Sequence, residues 1–310
     1  MIYITTIAFN NHLFVELQYK SILKYILDDN YKFIVFDDSK DSKITLKIHE
    51  VCNKFNIEYI RIDQNIHTNR NLVFKNPITE TRQIMINKDV DKIMNIYNNY
   101  QINNTAGSRH CDSIQFIFNY FLNNITNCSY LFNIDSDMFL INKLNISDYI
   151  KGNDIGFVKQ SNGGVTYIWP NIFIFDLKNT KNLNEICWDG CKIYKTNAID
   201  DNEYNPTDTG GETHEYLKKY YNDTNSKLKI IDKRCYCNLS DLELNNELTN
   251  DFINLLTKIL NYTNNNMKET FLIYNGKFTV FHLRGYTWTN IYENVEQKID
   301  NCLIEFYNDL

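Results

Sequence analysis

The first sixty or so residues restrict this chain to a small set of layouts. Residues 2–7 are rich in β-branched types and read as a strand, and the segment to Leu27 carries its apolar residues at helical spacing. Residues 32–36 form a second apolar strand ending at Asp37-Asp38, and a helical stretch over 44–55 leads to a third strand at 57–62. Parallel strands cannot be joined by a tight hairpin, so strand, helix, strand, helix, strand reads as a parallel sheet wound with helices. The expected class is α/β, with a central, mostly parallel sheet flanked by helices.

Helical patterns follow at 81–100 and 108–123, the second with Ile114, Ile117, Phe118 and Phe121 on one face. A buried strand at 129–134 then empties into Asp135-Ser136-Asp137, and a further apolar stretch covers 138–141. Later strands are expected at 155–159, 172–175 and 228–231, and helices at 248–260 and 291–307. A hairpin of 271–274 with 277–283 is marked by Asn275-Gly276, a pair suited to the positive φ angles of a two-residue turn. The loop-rich stretch 196–211, which opens a helix at Glu212, suits a lid. With no repeat or linker to force a boundary, the expectation is one domain over 1–310, with a nucleotide-binding half of about 1–142 and an acceptor-side half of about 143–310.

Composition narrows the function. Hydrophobic residues at 43% and charged residues at 23% predict a folded chain, and a formal net charge of -6 argues against a general phosphate-backbone binder, so nucleic acid is not an expected partner. The opening residues lack a basic region and a cleavage site, and no apolar run reaches about 18 residues, so neither a secretory signal nor a transmembrane segment is expected. The eight cysteines (52, 111, 128, 187, 191, 235, 237 and 302) are scattered, which suits reduced thiols and a cytoplasmic location. Cys187/Cys191 and Cys235/Cys237 offer a zinc alternative, with spacings unlike the usual knuckles.

Asp135 and Asp137 are the residues on which chemistry is expected to turn. Hard cations prefer carboxylate oxygens, and a D-x-D turn at the carboxyl end of a strand aims two of them at the edge where open α/β sheets bind ligands. Alone the tripeptide is a weak signal, equally readable as a solvated turn.

Its setting, Tyr130-Leu131-Phe132-Asn133-Ile134-Asp135-Ser136-Asp137-Met138-Phe139-Leu140, resembles the strand, D-x-D, strand signature of GT-A glycosyltransferases. The resemblance implies a Rossmann-like GT-A fold and transfer of a sugar from a nucleotide diphosphate sugar, UDP being the commonest, to a carbohydrate or other hydroxyl acceptor. It further implies Mn²⁺ or Mg²⁺ on Asp135 and Asp137. By the same resemblance Thr5 and Thr6 line the base pocket, and Asp37 or Asp38 contacts base or ribose; the alternative is that these acids cap the next helix. The stretch Phe281-His282-Leu283-Arg284-Gly285-Tyr286-Thr287-Trp288 is similar to the late histidine motif of glycogenin-like transferases. It implies His282 as a third metal ligand, with Gly285 allowing backbone to approach the diphosphate.

Three further stretches carry expectations. Gly107-Ser108-Arg109-His110-Cys111-Asp112 is read as a helix start suited to an anion; the resemblance to GT-A enzymes implies Arg109 on a phosphate and Asp112 on ribose or sugar hydroxyls, the alternative being Ser108 as a cap. In Asp208-Thr209-Gly210-Gly211-Glu212, Gly210 and Gly211 permit close substrate approach, and the resemblance to inverting GT-A enzymes implies Asp208 or Glu212 as general base; capping of the next helix is the alternative. Tyr167 and Trp169, beside the Gly163-Gly164 turn, look exposed and suit stacking on a sugar, or serve as core. The histidine motif leans towards retention and the acidic loop towards inversion, so the stereochemistry stays open. A metal-dependent nucleotidyltransferase or phosphohydrolase would use the same acids. So would a non-catalytic carbohydrate-binding scaffold keep them, as surface charges. The first enzyme alternative favours a glycine-rich loop after the first strand, and none is present.

Overall fold

In the computed structural model the described residues are 1–67, 106–125, 127–162, 164–190, 193–195, 204–222, 227–236, 248–262, 269–283 and 293–308. Strands β1 (Ile2–Ala8), β2 (Tyr31–Asp37) and β3 (Glu58–Arg61) alternate with helices α1 (His12–Tyr25) and α2 (Ser42–Lys54). Next come α3 (Ala106–Asn124), β4 (Tyr130–Ile134), β5 (Met138–Leu140) and the short α4 (Ile146–Ile150). Strands β6 (Ile155–Asn162), β7 (Val165–Asp176), β8 (Ile193–Lys195) and β9 (Tyr204–Pro206) precede α5 (Thr213–Tyr221). The remainder is β10 (Leu228–Ile230), β11 (Asp232–Tyr236), α6 (Asn250–Tyr262), β12 (Glu269–Tyr274), β13 (Lys277–His282) and α7 (Glu293–Asn308). The helix expected at 81–100 lies outside the described residues.

Seven strands make up the large sheet, and a four-stranded sheet runs β11-β12-β13-β5. Within the large sheet β1 and β2 pair in parallel, as do β10 and β6, while β6 and β7 are antiparallel. The mixed α/β class expected from the alternation of periods is therefore present, with a mostly parallel sheet and helices around it.

The chain divides into two compact units, each drawing on several segments. One comprises Met1, 61–133 and 152–230, and the other 2–60, 134–151 and 231–310. The first unit carries β10-β6-β7-β4 and the second β1-β2-β3. Each unit has its own aromatic core. In the first, Phe118 of α3, 1% exposed, meets Phe175 edge-on at 5.0 Å between ring centroids, and Phe173 stacks on Trp188 at 4.7 Å. In the second, Phe252 and Leu256 of α6 and Leu303 and Tyr307 of α7 pack with Phe271, Phe281 and Phe139 from the four-stranded sheet.

Two local features differ from expectation or explain it. Asn275 and Gly276 take φ of 51° and 80°, the hairpin turn that the pair predicts. Strand β7 extends unbroken from Val165, so Tyr167 and Trp169 are strand residues rather than an exposed pair after a glycine turn. Tyr167 is 4% exposed and Trp169 half-buried. The pairing of β7 with β6 jumps from Lys159↔Ile168 to Phe157↔Phe173. Pro170 sits inside that jump, where a residue without an N–H leaves no ladder bond unmade.

Truncating Phe118 to Ala removes a ring from the first unit's core and is expected to cost about 3–5 kcal/mol of stability. Denaturant unfolding followed by tryptophan fluorescence should show a clearly lowered midpoint, since Trp188 lies 5.1 Å from the Phe118 ring.

Candidate active site

Strand β4 ends at Ile134, and the D-x-D turn that follows is built by backbone bonds of the second unit. The Asp135 carbonyl accepts from Met138 N at 3.0 Å, and Oδ1 of Asp135 accepts from Ser136 N at 2.9 Å. Strand β5 then pairs antiparallel with β13, Met138 opposite His282, and Leu283 N donates to the Asp137 carbonyl at 3.0 Å. Register thus seats the late histidine beside the second carboxylate, although 144 positions separate residues 138 and 282 in the chain.

Oδ1 of Asp137 lies 3.2 Å from Nε2 of His282, with the two side chains 8% and 6% exposed. The contact has ion-pair range but not hydrogen-bond geometry, and that Oδ1 is a buried oxygen with no hydrogen-bond partner among the described residues. An orphaned carboxylate oxygen is costly to bury. It fits a cation: neighbouring ligands of an octahedral ion with bonds of roughly 2.1 Å are about 3 Å apart. Asp135 is half-buried and holds its own turn. Among the described residues the group of three metal-type ligand atoms within 4.8 Å of one another is a different one, Cys187, Asp189 and Glu212. Asp135 therefore does not close a triad of that tightness with Asp137 and His282.

The two early strand ends supply a second cluster in the same unit. Thr5 and Thr6 are fully buried, and the Thr6 hydroxyl oxygen has no hydrogen-bond partner among the described residues. Asp37 is fully buried, accepting from Tyr59 Oη at 2.8 Å and from Ser39 N at 2.9 Å. It does not cap α2, whose cap is Asp41, accepting from Lys43 N. Asp38, 2% exposed, is held through its N–H on the Ala8 carbonyl at 2.9 Å. Burial, and then the Asp37 charge, push the Cys52 thiol up to about 12.

In the first unit the Pro170 bulge of β7 organises the acidic loop. Ile168 N donates to Thr213 Oγ1 at 2.9 Å, and Thr213 Oγ1 donates to the Gly210 carbonyl at 2.7 Å. Gly210 has φ +78°, and a Cβ there would stand 2.8 Å from the Ile168 carbonyl oxygen; one on Gly211 would overlap the Thr207 side chain at 1.9 Å. Both glycines are thus required by packing of the loop on itself and on β7. Asp208 is exposed, with Oδ1 accepting from Thr209 N at 2.7 Å and its own N–H donating to Tyr167 Oη at 3.1 Å. Glu212 occupies the position before α5 but makes no side-chain cap bond, so capping does not account for it. Its N–H donates to the Asp189 carbonyl at 2.9 Å. The structure therefore gathers Tyr167, Trp169, Asp208, Gly210, Gly211 and Glu212 around one bulge.

Arg109 and Asp112 lie on α3, which the structure describes from Ala106. Arg109 is 5% exposed and donates to Gln64 Oε1 at 2.9 Å, and Asp112 Oδ2 lies 3.0 Å from Nδ1 of the buried His67. Gly285, with Arg284 and Trp288, lies outside the described residues, as do Cys191 and Cys237. Sequence reasoning missed Gln18, which holds the D-x-D turn, and His67, the partner of Asp112; Cys187 was considered with Cys191 and not with Glu212. A glutamine among the apolar residues of α1 was the signal for the first; His67 carries no local pattern.

No family model matches the chain, and no curated protein does. Among solved structures it is similar to the galactosyltransferase LgtC in complex with donor and acceptor sugar analogues, at 12% identity and TM-score 0.43, over 99% of this chain and 96% of that one. It is also similar to the mannosyltransferase Ktr4p from S. cerevisiae (9% identity, TM-score 0.35) and to core-mannan synthase A from Aspergillus fumigatus in its Mn/GDP form (9%, 0.37). These two likenesses cover 57% of this chain and only 56% and 59% of theirs. Likeness at such levels carries no residue role to this chain.

Burial, and next a hydrogen bond to Glu212, push the Cys187 thiol up to about 12. At pH 8 the thiolate is then scarcer than in an ordinary cysteine by roughly three orders of magnitude. Iodoacetamide labelling read by peptide mass spectrometry should find Cys187 nearly inert in the folded protein and reactive after denaturation. Brisk labelling of the folded form would contradict this environment.

Proposed function

We propose that this chain is a metal-dependent glycosyltransferase of the GT-A type, with one catalytic domain over 1–310, that moves a sugar from a nucleotide diphosphate donor to a hydroxyl of a carbohydrate or other acceptor. UDP is the donor base to test first, as the commonest partner of this architecture. The observation that carries the reading is the buried contact of Asp137 Oδ1 with His282 Nε2 at 3.2 Å, with the oxygen otherwise unsatisfied among the described residues. A carboxylate and an imidazole make a donor set suited to Mn²⁺ and acceptable to Mg²⁺. Asp137 and His282 would hold the ion, with Asp135 contributing from the start of the turn. Bound there, a divalent cation neutralises charge on a nucleoside diphosphate leaving group.

The remaining roles belong to the chain's own side chains. Thr5, Thr6, Asp37 and Asp38 recognise the nucleoside; the unsatisfied Thr6 hydroxyl and the two hydrogen bonds that orient Asp37 support that assignment. Arg109 offsets phosphate charge and Asp112 binds ribose or sugar hydroxyls, with Gly285 admitting backbone to the diphosphate. Asp208 and Glu212 are the candidates to take the proton of the acceptor hydroxyl, and Tyr167, Trp169, Gly210 and Gly211 shape the sugar site. If an acid of that loop activates the acceptor for a single direct displacement of the nucleotide, the bond to the nucleotide breaks as the new one forms on the opposite face and the anomeric centre is inverted. Cysteines 52, 111, 128, 187 and 302 are free thiols, which suits a cytoplasmic location. Among the described residues no helix is long and apolar enough to cross a membrane.

Replacing Asp137 with Ala should abolish Mn²⁺-dependent binding of UDP, measured by calorimetry, while leaving the fold intact by circular dichroism. A variant that still binds UDP tightly with Mn²⁺ sinks the cation assignment. Asp208→Asn or Glu212→Gln should lower turnover of the preferred donor by about 10²-fold with donor affinity kept. Full turnover in both variants removes the acidic loop from the chemistry.

A further inference from the structure

We infer that Gln18 is a positioning residue for the D-x-D turn, setting where the Asp137 carboxylate stands. The inference rests on the cation role proposed for that turn. Phe14, Gln18 and Ser21 follow one another at i, i+4 and i+7 on α1 and share one face. That face runs along the chain from Asp135 to Leu140. Phe14 meets Phe139 edge-on at 5.3 Å between centroids, and Leu140 N donates to Ser21 Oγ at 3.2 Å. Between them the fully buried Gln18 donates from Nε2 to the Asp135 carbonyl at 2.7 Å and to the Met138 carbonyl at 2.9 Å.

Those two carbonyls bracket Asp137. One NH₂ group, with both protons used, pins the ends of the short arc that carries the carboxylate. The assignment of the amide is unambiguous, because the flipped rotamer would aim an oxygen at two carbonyl oxygens. The arrangement leaves Gln18 Oε1 buried with no hydrogen-bond partner among the described residues. A methionine or leucine would fill the same volume without burying that oxygen. A residue that is a poor choice for the core but satisfies both ends of a metal-type turn is explained by the turn. The Leu283 N to Asp137 carbonyl bond then fixes the middle of the arc against the strand that bears His282.

The test compares Mn²⁺ binding, read as free Mn²⁺ by electron paramagnetic resonance, in the wild-type chain, Gln18→Met and Ser21→Ala, with thermal melting of each. Gln18→Met keeps the volume and loses both donors; it should weaken Mn²⁺ binding by about ten-fold. Ser21→Ala loosens the same helix face at Leu140 without touching the turn, and should lower the melting temperature while leaving Mn²⁺ affinity within about two-fold. If Gln18→Met does not fold, Gln18→Asn, which keeps the amide but is one methylene short, should give a smaller weakening of the same kind. Wild-type affinity in the folded Gln18 variants, or equal weakening in Ser21→Ala, overturns the positioning role and leaves the proposed function standing. Wild-type protein that binds Mn²⁺ but no nucleotide, with Gln18→Met weakened, sinks the transferase reading and keeps Gln18. Wild-type protein that binds no Mn²⁺ sinks both.

Discussion

The antiparallel pairing of β5 with β13 is the constraint on which the proposed cation site of the second unit depends. Without it, Asp137 would sit at the end of an apolar strand with only solvent to satisfy it. With it, Met138 lies opposite His282, Leu283 N takes the Asp137 carbonyl, and a carboxylate and an imidazole are buried 3.2 Å apart. Burial is what gives this contact meaning. An exposed pair of this kind is worth little, whereas a buried oxygen with no hydrogen-bond partner among the described residues is a standing cost that the proposed divalent cation would relieve. Helix α1 supports the same arc through Gln18 and the strand that follows it through Ser21.

The first unit solves a different problem by related means. Pro170 interrupts the β6–β7 ladder, and beside it the N–H of Ile168 donates to Thr213 Oγ1 while the Ile168 carbonyl leaves room only for a glycine at position 210. A loop bearing Asp208 and Glu212 is thereby fixed on a strand, with Tyr167 Oη taking the Asp208 N–H. An acid held on rigid backbone reacts with a defined geometry; an acid on a free loop does not.

Much of this was legible in the sequence because period and length carry it. The early strands and helices, the strand before Asp135 and the Asn275-Gly276 hairpin were found within a few residues of their observed bounds, since each rests on local hydrophobic spacing or turn chemistry. The nearness of Asp137 and His282 could only be suspected from motif resemblance, because strand register across 144 positions leaves no local trace. Tyr167 and Trp169 were misjudged as exposed because a glycine pair and a proline flank them, and both usually end strands. Here the proline makes a bulge and β7 continues through it. Gln18 went unnoticed because its partners, Asp135 and Met138, are distant along the chain.

The most direct measurement is a crystal soaked in Mn²⁺ and UDP, with the anomalous difference map inspected at the turn. A strong peak is expected within about 2.3 Å of Asp137 Oδ1 and His282 Nε2. Manganese bound elsewhere, with that oxygen and nitrogen joined by a plain hydrogen bond and no ion between them, would contradict the cation assignment.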